Sequence, residues 1–98
     1  MASKIKDEKL DFLFQAILTL ETVEDCYSFF EDLCTIAEVK SMAQRIEVAT
    51  MLRNGVTYQE IARVTGASSA TISRVNRALL YGADGYCRVL DSMEKNKG

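Results

Sequence analysis

Apolar residues recur along this chain at spacings of three and four, in stretches separated by short polar or glycine-containing breaks. Leu10, Leu13, Phe14, Ile17 and Leu18 follow the i, i+3, i+4, i+7, i+8 rule and predict a first helix over about Lys6 to Leu20. Phe12 and Leu20 fall off that stripe, so the apolar surface is wider than one neighbour needs. Two readings fit: a helix buried in its own chain, or a helix shared with a second subunit. Thr22 can cap a second helix carrying Val23, Cys26, Phe29, Phe30 and Leu33, with Glu24, Asp25, Glu31 and Asp32 on a solvated face. Thr35 and Glu38 form a Thr-x-x-Glu capping box for a third helix. Its Val39, Met42, Ala43, Ile46, Ala49 and Leu52 line one side until Asn54-Gly55 stops it.

The densest signal lies at 57–79. Thr57 and Glu60 make a second capping box, and Ile61, Ala62 and Val64 give the short helix a narrow apolar side. Gly66 ends it, because glycine enters the left-handed region without the cost a Cβ brings. Ser68 is placed to cap the next helix, in which Ile72, Val75 and Leu79 form the inward stripe. Ser69, Ala70, Thr71, Ser73, Arg74 and Arg77 point away from it. A last stripe of Tyr86, Val89, Leu90 and Met93 predicts a helix over about 84–95, with the tail from Glu94 fraying. No alternating strand pair follows, so a wing is disfavoured and the fold is all-α with six helices.

Two short helices, a tight turn, and a second helix with a small, hydroxylated and basic outer face are the parts of a helix-turn-helix at 57–80. Small residues at the start of that helix let the backbone approach base edges. Hydroxyls at Ser68, Ser69, Thr71 and Ser73 can donate or accept, Ala70 can touch a thymine methyl, and Arg74 or Arg77 can bind guanine or clamp phosphate. The plainer reading is a solvated helix hairpin. Caps, glycine, core spacing and surface chemistry agree independently on the DNA-reading one.

Composition narrows the class. A chain of 98 residues, 48% hydrophobic and without proline, suits one domain over 1–98, with core and dimerisation helices at 6–54. No apolar run approaches the ~18 residues of a membrane span. The start of the chain lacks a signal-peptide core, so a soluble cytoplasmic protein is expected, with no membrane partner. The net charge of −2 is unevenly distributed. Residues 1–39 hold three lysines against nine acids, whereas residues 40–88 hold seven basic residues against three acids. Positive charge thus gathers around the reading unit, where phosphate attraction needs it. Cys26, Cys34 and Cys87 have no metal-like spacing and there is no histidine, so no metal site is expected and buried free thiols are. Cys26 shares a stripe with Phe29, Phe30 and Leu33 and reads as core. With no histidine base and no glycine-rich phosphate loop, there are no candidate catalytic residues, and an enzyme is not expected.

Two stretches carry a further resemblance. One runs from Cys34-Thr35-Ile36-Ala37-Glu38 through Gln44-Arg45-Ile46 to Leu52-Arg53-Asn54-Gly55, and the other from Gln59-Glu60-Ile61 through Gly66-Ala67 to Ala70-Thr71-Ile72-Ser73-Arg74. Together they resemble the Trp repressor superfamily, most of all its YerC/YecD-type branch of bacterial Trp-repressor-like proteins. The resemblance implies an intertwined homodimer whose first helices interlock, which would account for Phe12 and Leu20. It also implies a small-molecule pocket at Thr35, Arg45 and Arg74, and places Gln59 among the DNA contacts. Two departures speak against tryptophan as ligand: Val75 stands where tryptophan-binding members have glycine, and Ala78 where they have serine. Gln59 and Ala62 also replace basic residues of the first motif helix, so a different operator is expected. A second assignment makes Arg45 and Arg74 phosphate contacts or surface ion-pair partners, and the residues favour it.

The expectation is therefore a sequence-specific, DNA-binding transcriptional regulator, a repressor acting as a homodimer on a palindromic operator, with no cofactor. Its rival is a protein-interaction module built on the same scaffold.

Overall fold

A computed structural model of the chain describes residues 5–97. The segment 1–4, which includes the start read above as lacking a signal core, and Gly98 of the tail lie outside the described residues. Six helices and no strand make up what is described: α1 (Glu8–Ile17), α2 (Val23–Leu33), α3 (Ile36–Arg53), α4 (Tyr58–Thr65), α5 (Ser69–Tyr81) and α6 (Gly85–Lys97). The chain divides into two compact units, one running to Val39 and the other starting at Lys40.

In the first unit the helices are fixed by their caps. Asp7 caps α1 by accepting the Leu10 N–H at 2.8 Å. That helix stops at Ile17, short of the expected Leu20, where the Thr19 hydroxyl donates to the Ala16 carbonyl at 2.7 Å and tightens the last turn. Thr22 caps α2 as expected, and Asp25 completes the box by accepting the Thr22 N–H, a role beyond the solvated surface expected of it. Thr35 and Glu38 form the full reciprocal box of α3: the Thr35 N–H donates to Glu38 Oε1 at 2.8 Å and the Glu38 N–H to Thr35 Oγ1 at 3.1 Å. No residue of α1 or α2 is buried. Cys26 is exposed, which corrects its reading as a core thiol; Cys34 and Cys87 are half-buried. Of the stripe it belongs to, Phe29 and Phe30 are half-buried, while Val23 and Leu33 are exposed.

The second unit holds the core: Val48 and Ala49 of α3, Ile61 of α4, Ala67 of the turn, Ile72 and Val75 of α5, and Leu90 of α6. Ile46, Leu52, Ala62, Leu79 and Tyr86 pack against it. The α5 stripe is therefore as expected, but three neighbours differ. On α3 the buried pair is Val48 and Ala49, while Met42 and Ala43 are exposed. Val64 of α4 is 49% exposed rather than inward, and Val89 and Met93 of α6 are exposed, leaving Leu90 as that helix's anchor. Helix α6 itself extends to Lys97, past the expected end near residue 95.

At the C-terminal end of α5 the backbone closes tightly on itself. A Cβ on Gly82 would lie 2.5 Å from the Ala78 carbonyl oxygen, a separation no side chain tolerates. Arg53, at the end of α3, reaches α6 through Asp91 at 2.7 Å and the Cys87 carbonyl at 3.2 Å. This polar tie and the burial of Leu90 hold the last helix against the core.

Candidate nucleic-acid interface

Helices α4 and α5 are joined by Gly66, Ala67 and Ser68. Gly66 adopts φ +75°, the left-handed conformation expected of it, and its N–H donates to the Ala62 carbonyl. Ala67 is buried in the turn, and its N–H donates to Thr65 Oγ1 at 3.1 Å. The Thr65 hydroxyl donates in turn to the Ile61 carbonyl, and Gln44 of α3 donates to the Thr65 carbonyl at 3.1 Å. The turn is thus pinned by side chains on both flanks, which fixes the angle at which α5 leaves it. Gln44 was not among the expected functional residues. Nothing in its spacing marks it, because the contact spans 21 residues of sequence.

Ser68 caps α5 by accepting the Thr71 N–H at 3.1 Å, and its hydroxyl donates to Thr71 Oγ1 at the same distance. Ser69, Ala70, Ser73, Arg74 and Arg77 are exposed, and Thr71 is half-buried. No acidic residue stands in the first turn of α5, so nothing offsets the partial positive charge of its free N–H groups. The α5 residues and Ser68 therefore stand together on one helix and its cap, and Gln59 is exposed on α4.

The cations of this unit fall into two groups. Arg53 is tied to Asp91, and Arg63 is held bidentate by Glu60 one turn earlier on α4. The guanidinium of Arg63 pulls the Glu60 carboxyl below its usual range, and the carboxylate raises Arg63 in return. Glu60 thereby departs from its expected part in a capping box: Thr57 accepts the Glu60 N–H at 3.3 Å, but the carboxylate turns to Arg63 instead of back to Thr57. By contrast, Lys40, Arg45, Arg74, Arg77, Arg88 and Lys95 make no ion pair among the described residues.

Two of these free arginines, Arg45 and Arg74, line a cleft of about 320 Å³ together with Met42, Val75, Ala78 and Tyr86. Two of the three residues expected at an effector pocket thus meet there, on α3 and α5. Thr35 belongs to the first unit, where its hydroxyl and N–H serve the α3 box. A larger groove, of about 640 Å³, is lined by Ala43, Ile46, Leu90 and Met93 among others, and no expected site residue borders it. Among the described residues no cluster of side chains could hold a metal ion, and no helix is long and apolar enough to cross a membrane.

The family model for the Trp repressor protein matches residues 8–94, nearly the whole of this arrangement. The chain belongs to the Trp repressor family. Against the uncharacterised protein YerC of Bacillus subtilis (strain 168) it is 54% identical over 94 residues, covering 96% of this chain and 90% of YerC. Among solved structures, a TrpR-like protein from Eubacterium eligens superposes with a TM-score of 0.89 at 56% identity, covering 93% of this chain and 94% of that one. A candidate Trp repressor from Staphylococcus aureus gives the same TM-score at 53% identity, covering 93% and 91%. The Trp repressor family is one of DNA-binding regulators rather than enzymes, so the resemblance carried by the two sequence stretches and the six-helix all-α architecture agree with these matches.

Proposed function

We propose that this chain is a sequence-specific transcriptional repressor that reads a palindromic operator as a homodimer in the cytoplasm, with α4, the turn and α5 acting as a non-winged helix-turn-helix. The observation that carries this reading is the outer face of α5. Ser69, Ala70, Ser73, Arg74 and Arg77 are exposed, its first turn carries no acid, and both arginines are unpaired. Small residues admit the backbone to the major groove, the hydroxyls of Ser68, Ser69, Thr71 and Ser73 supply donors and acceptors, and the arginines take guanine or phosphate. Gln59 adds a neutral backbone contact from α4.

The dimer rests on α1 and α2. They bury no residue, yet Phe12 and Leu18 are 75% and 82% exposed. Apolar surface on that scale marks an interface, and a second copy supplies a symmetric cover for it. Two reading helices would then meet successive major grooves roughly 34 Å apart.

Tryptophan is not the ligand in this reading. Val75 is buried beside the cleft and Ala78 offers no hydroxyl there, so an indole meets a branched side chain and an amino acid loses a partner. Arg45 and Arg74 serve better as phosphate contacts. Saturable micromolar binding of tryptophan by calorimetry would refute this.

Selection of bound fragments from random duplex DNA, with the solution mass measured alongside, tests the whole reading. A palindromic winner is expected, with a mass of about 22 kDa, twice the 11.0 kDa chain. A protein-interaction module would instead show an affinity for DNA indifferent to sequence and salt.

A further inference from the structure

On α4, Arg63 lies four residues after Gln59, so the two share one exposed face. If Gln59 meets the DNA backbone, Arg63 is the cation of α4 best placed to reach the next phosphate. It is not free to act as one. Glu60 accepts from both Arg63 Nε and Nη2, the latter at 2.8 Å, in a fork-to-fork geometry. The carboxylate gives up its place in the Thr57 capping box to do so, although the same Thr-x-x-Glu spacing at Thr35 completes its box.

We infer that Glu60 is an affinity-limiting residue: by neutralising Arg63 it withholds one phosphate contact and leaves the reading of DNA to α5. The inference rests on the DNA-binding function proposed above. An exposed pair of this kind contributes little to folding, because solvent screens it. Its effect on a polyanion is different in kind. With the pair intact, the α4 face presents zero net charge to the duplex. With the arginine swung onto a phosphate, an unpaired carboxylate is left beside the same backbone. Either way the pair supplies no counterion release, which is the term that drives sequence-independent binding. The Glu60–Arg63 pair thus lowers background affinity in a helix-turn-helix whose remaining free cations, Arg74 and Arg77, sit on the reading helix itself.

A charge-neutralisation double-mutant cycle tests this on the full chain, using fluorescence anisotropy with a random-sequence duplex at 50 to 200 mM salt. Glu60→Gln, which keeps the Thr57 cap because that bond uses the Glu60 N–H, should steepen the log-affinity against log-salt slope by about 0.9. Its gain over wild type should grow roughly three- to four-fold as salt falls from 200 to 50 mM. Arg63→Gln, which strands the carboxylate, should shift the slope the other way. The double variant, Glu60→Gln with Arg63→Gln, should return to the wild-type line. A double variant that stays as weak as Arg63→Gln would show that Arg63 already contacts phosphate, and would overturn the inference. So would an unaltered slope in Glu60→Gln while the wild type binds. A wild-type protein that binds no duplex at all overturns this inference and the DNA-binding function together.

Discussion

The two units of this chain have the same chemistry of helix formation but opposite fates for their apolar side chains. From Lys40 onward, α3, α4, α5 and α6 deliver side chains to one core, in which Ile61, Ile72, Val48 and Val75 are fully enclosed. Up to Val39, two well-capped amphipathic helices enclose nothing. Capping and periodicity therefore decide where helices start and which face is apolar; they do not decide what covers that face. The acidic balance of the first unit and the basic balance of the second sharpen the contrast, since only the basic one attracts a polyanion.

Breaking the first side of that comparison should give the largest effect. Phe12 is 75% exposed in the single chain, so on that basis alone its replacement would change stability by no more than about 0.5 kcal/mol. In a symmetric dimer each copy buries it, and a phenylalanine removed from water is worth about 1.5–3 kcal/mol. Counted twice, Phe12→Asp should weaken self-association by about 3–6 kcal/mol, or roughly two to four decades in Kd. Sedimentation equilibrium over a hundred-fold dilution series reads this directly. A variant that keeps the wild-type mass throughout would remove Phe12 from any interface.

On the other side, Ile61→Ala opens the core of the second unit. Ile61 is 0% exposed, and deleting an enclosed isoleucine to alanine costs about 2–5 kcal/mol. The loss should appear as a lower urea midpoint with an unchanged slope. Truncating Val64 to alanine, one turn away and 49% exposed, should leave the midpoint nearly in place.

That pair also marks what could be read before the structure. The α5 stripe was legible because its apolar residues are few and regularly spaced, so Ile72 and Val75 had one way to face inward. Caps were legible for a similar reason: Thr22, Thr35, Thr57 and Ser68 each act on backbone groups three residues away. On α3, apolar residues surround the helix, and periodicity alone could not choose Val48 over Met42 or Ala43. Val64 and Cys26 failed for want of a neighbour, because a pattern does not say whether a second element arrives. At the candidate site the residues of α5 were legible, while Gln44 holding the turn and Tyr86 and Met42 lining the cleft depend on contacts between distant segments.

Gly82 offers a smaller perturbation within the second unit. A methyl group there must displace the Ala78 carbonyl, which belongs to backbone and cannot swing aside. Gly82→Ala should cost about 1–3 kcal/mol, as overpacking does, and should loosen α6 first. Amide exchange resolves the order: protection at Leu90 should fall before protection at Ile61. Equal loss at both sites would mean that α6 and the core open as one body.

The smallest effect separates the two Thr-x-x-Glu sequences, one in each unit. Both glutamates are held below their ordinary value of 4.5, but by different partners: the Thr35 N–H is the chief cause for Glu38, and the Arg63 guanidinium for Glu60. A lowered carboxyl adds stability that is present above pH 4.5 and is lost as the pH falls through the folded-state value. Both contributions should therefore vanish on acidification, so a pH melt alone cannot tell them apart. Arg63→Gln can. Followed by carboxyl carbon NMR, Glu60 should rise toward 4.5 in that variant while Glu38 stays low, and added salt should raise Glu60 more than Glu38 because screening weakens a charge pair more than an N–H hydrogen bond. If Glu60 stays low without Arg63, its carboxylate has returned to the Thr57 N–H, and the departure of this second box from the first is a choice made by the arginine rather than by the helix.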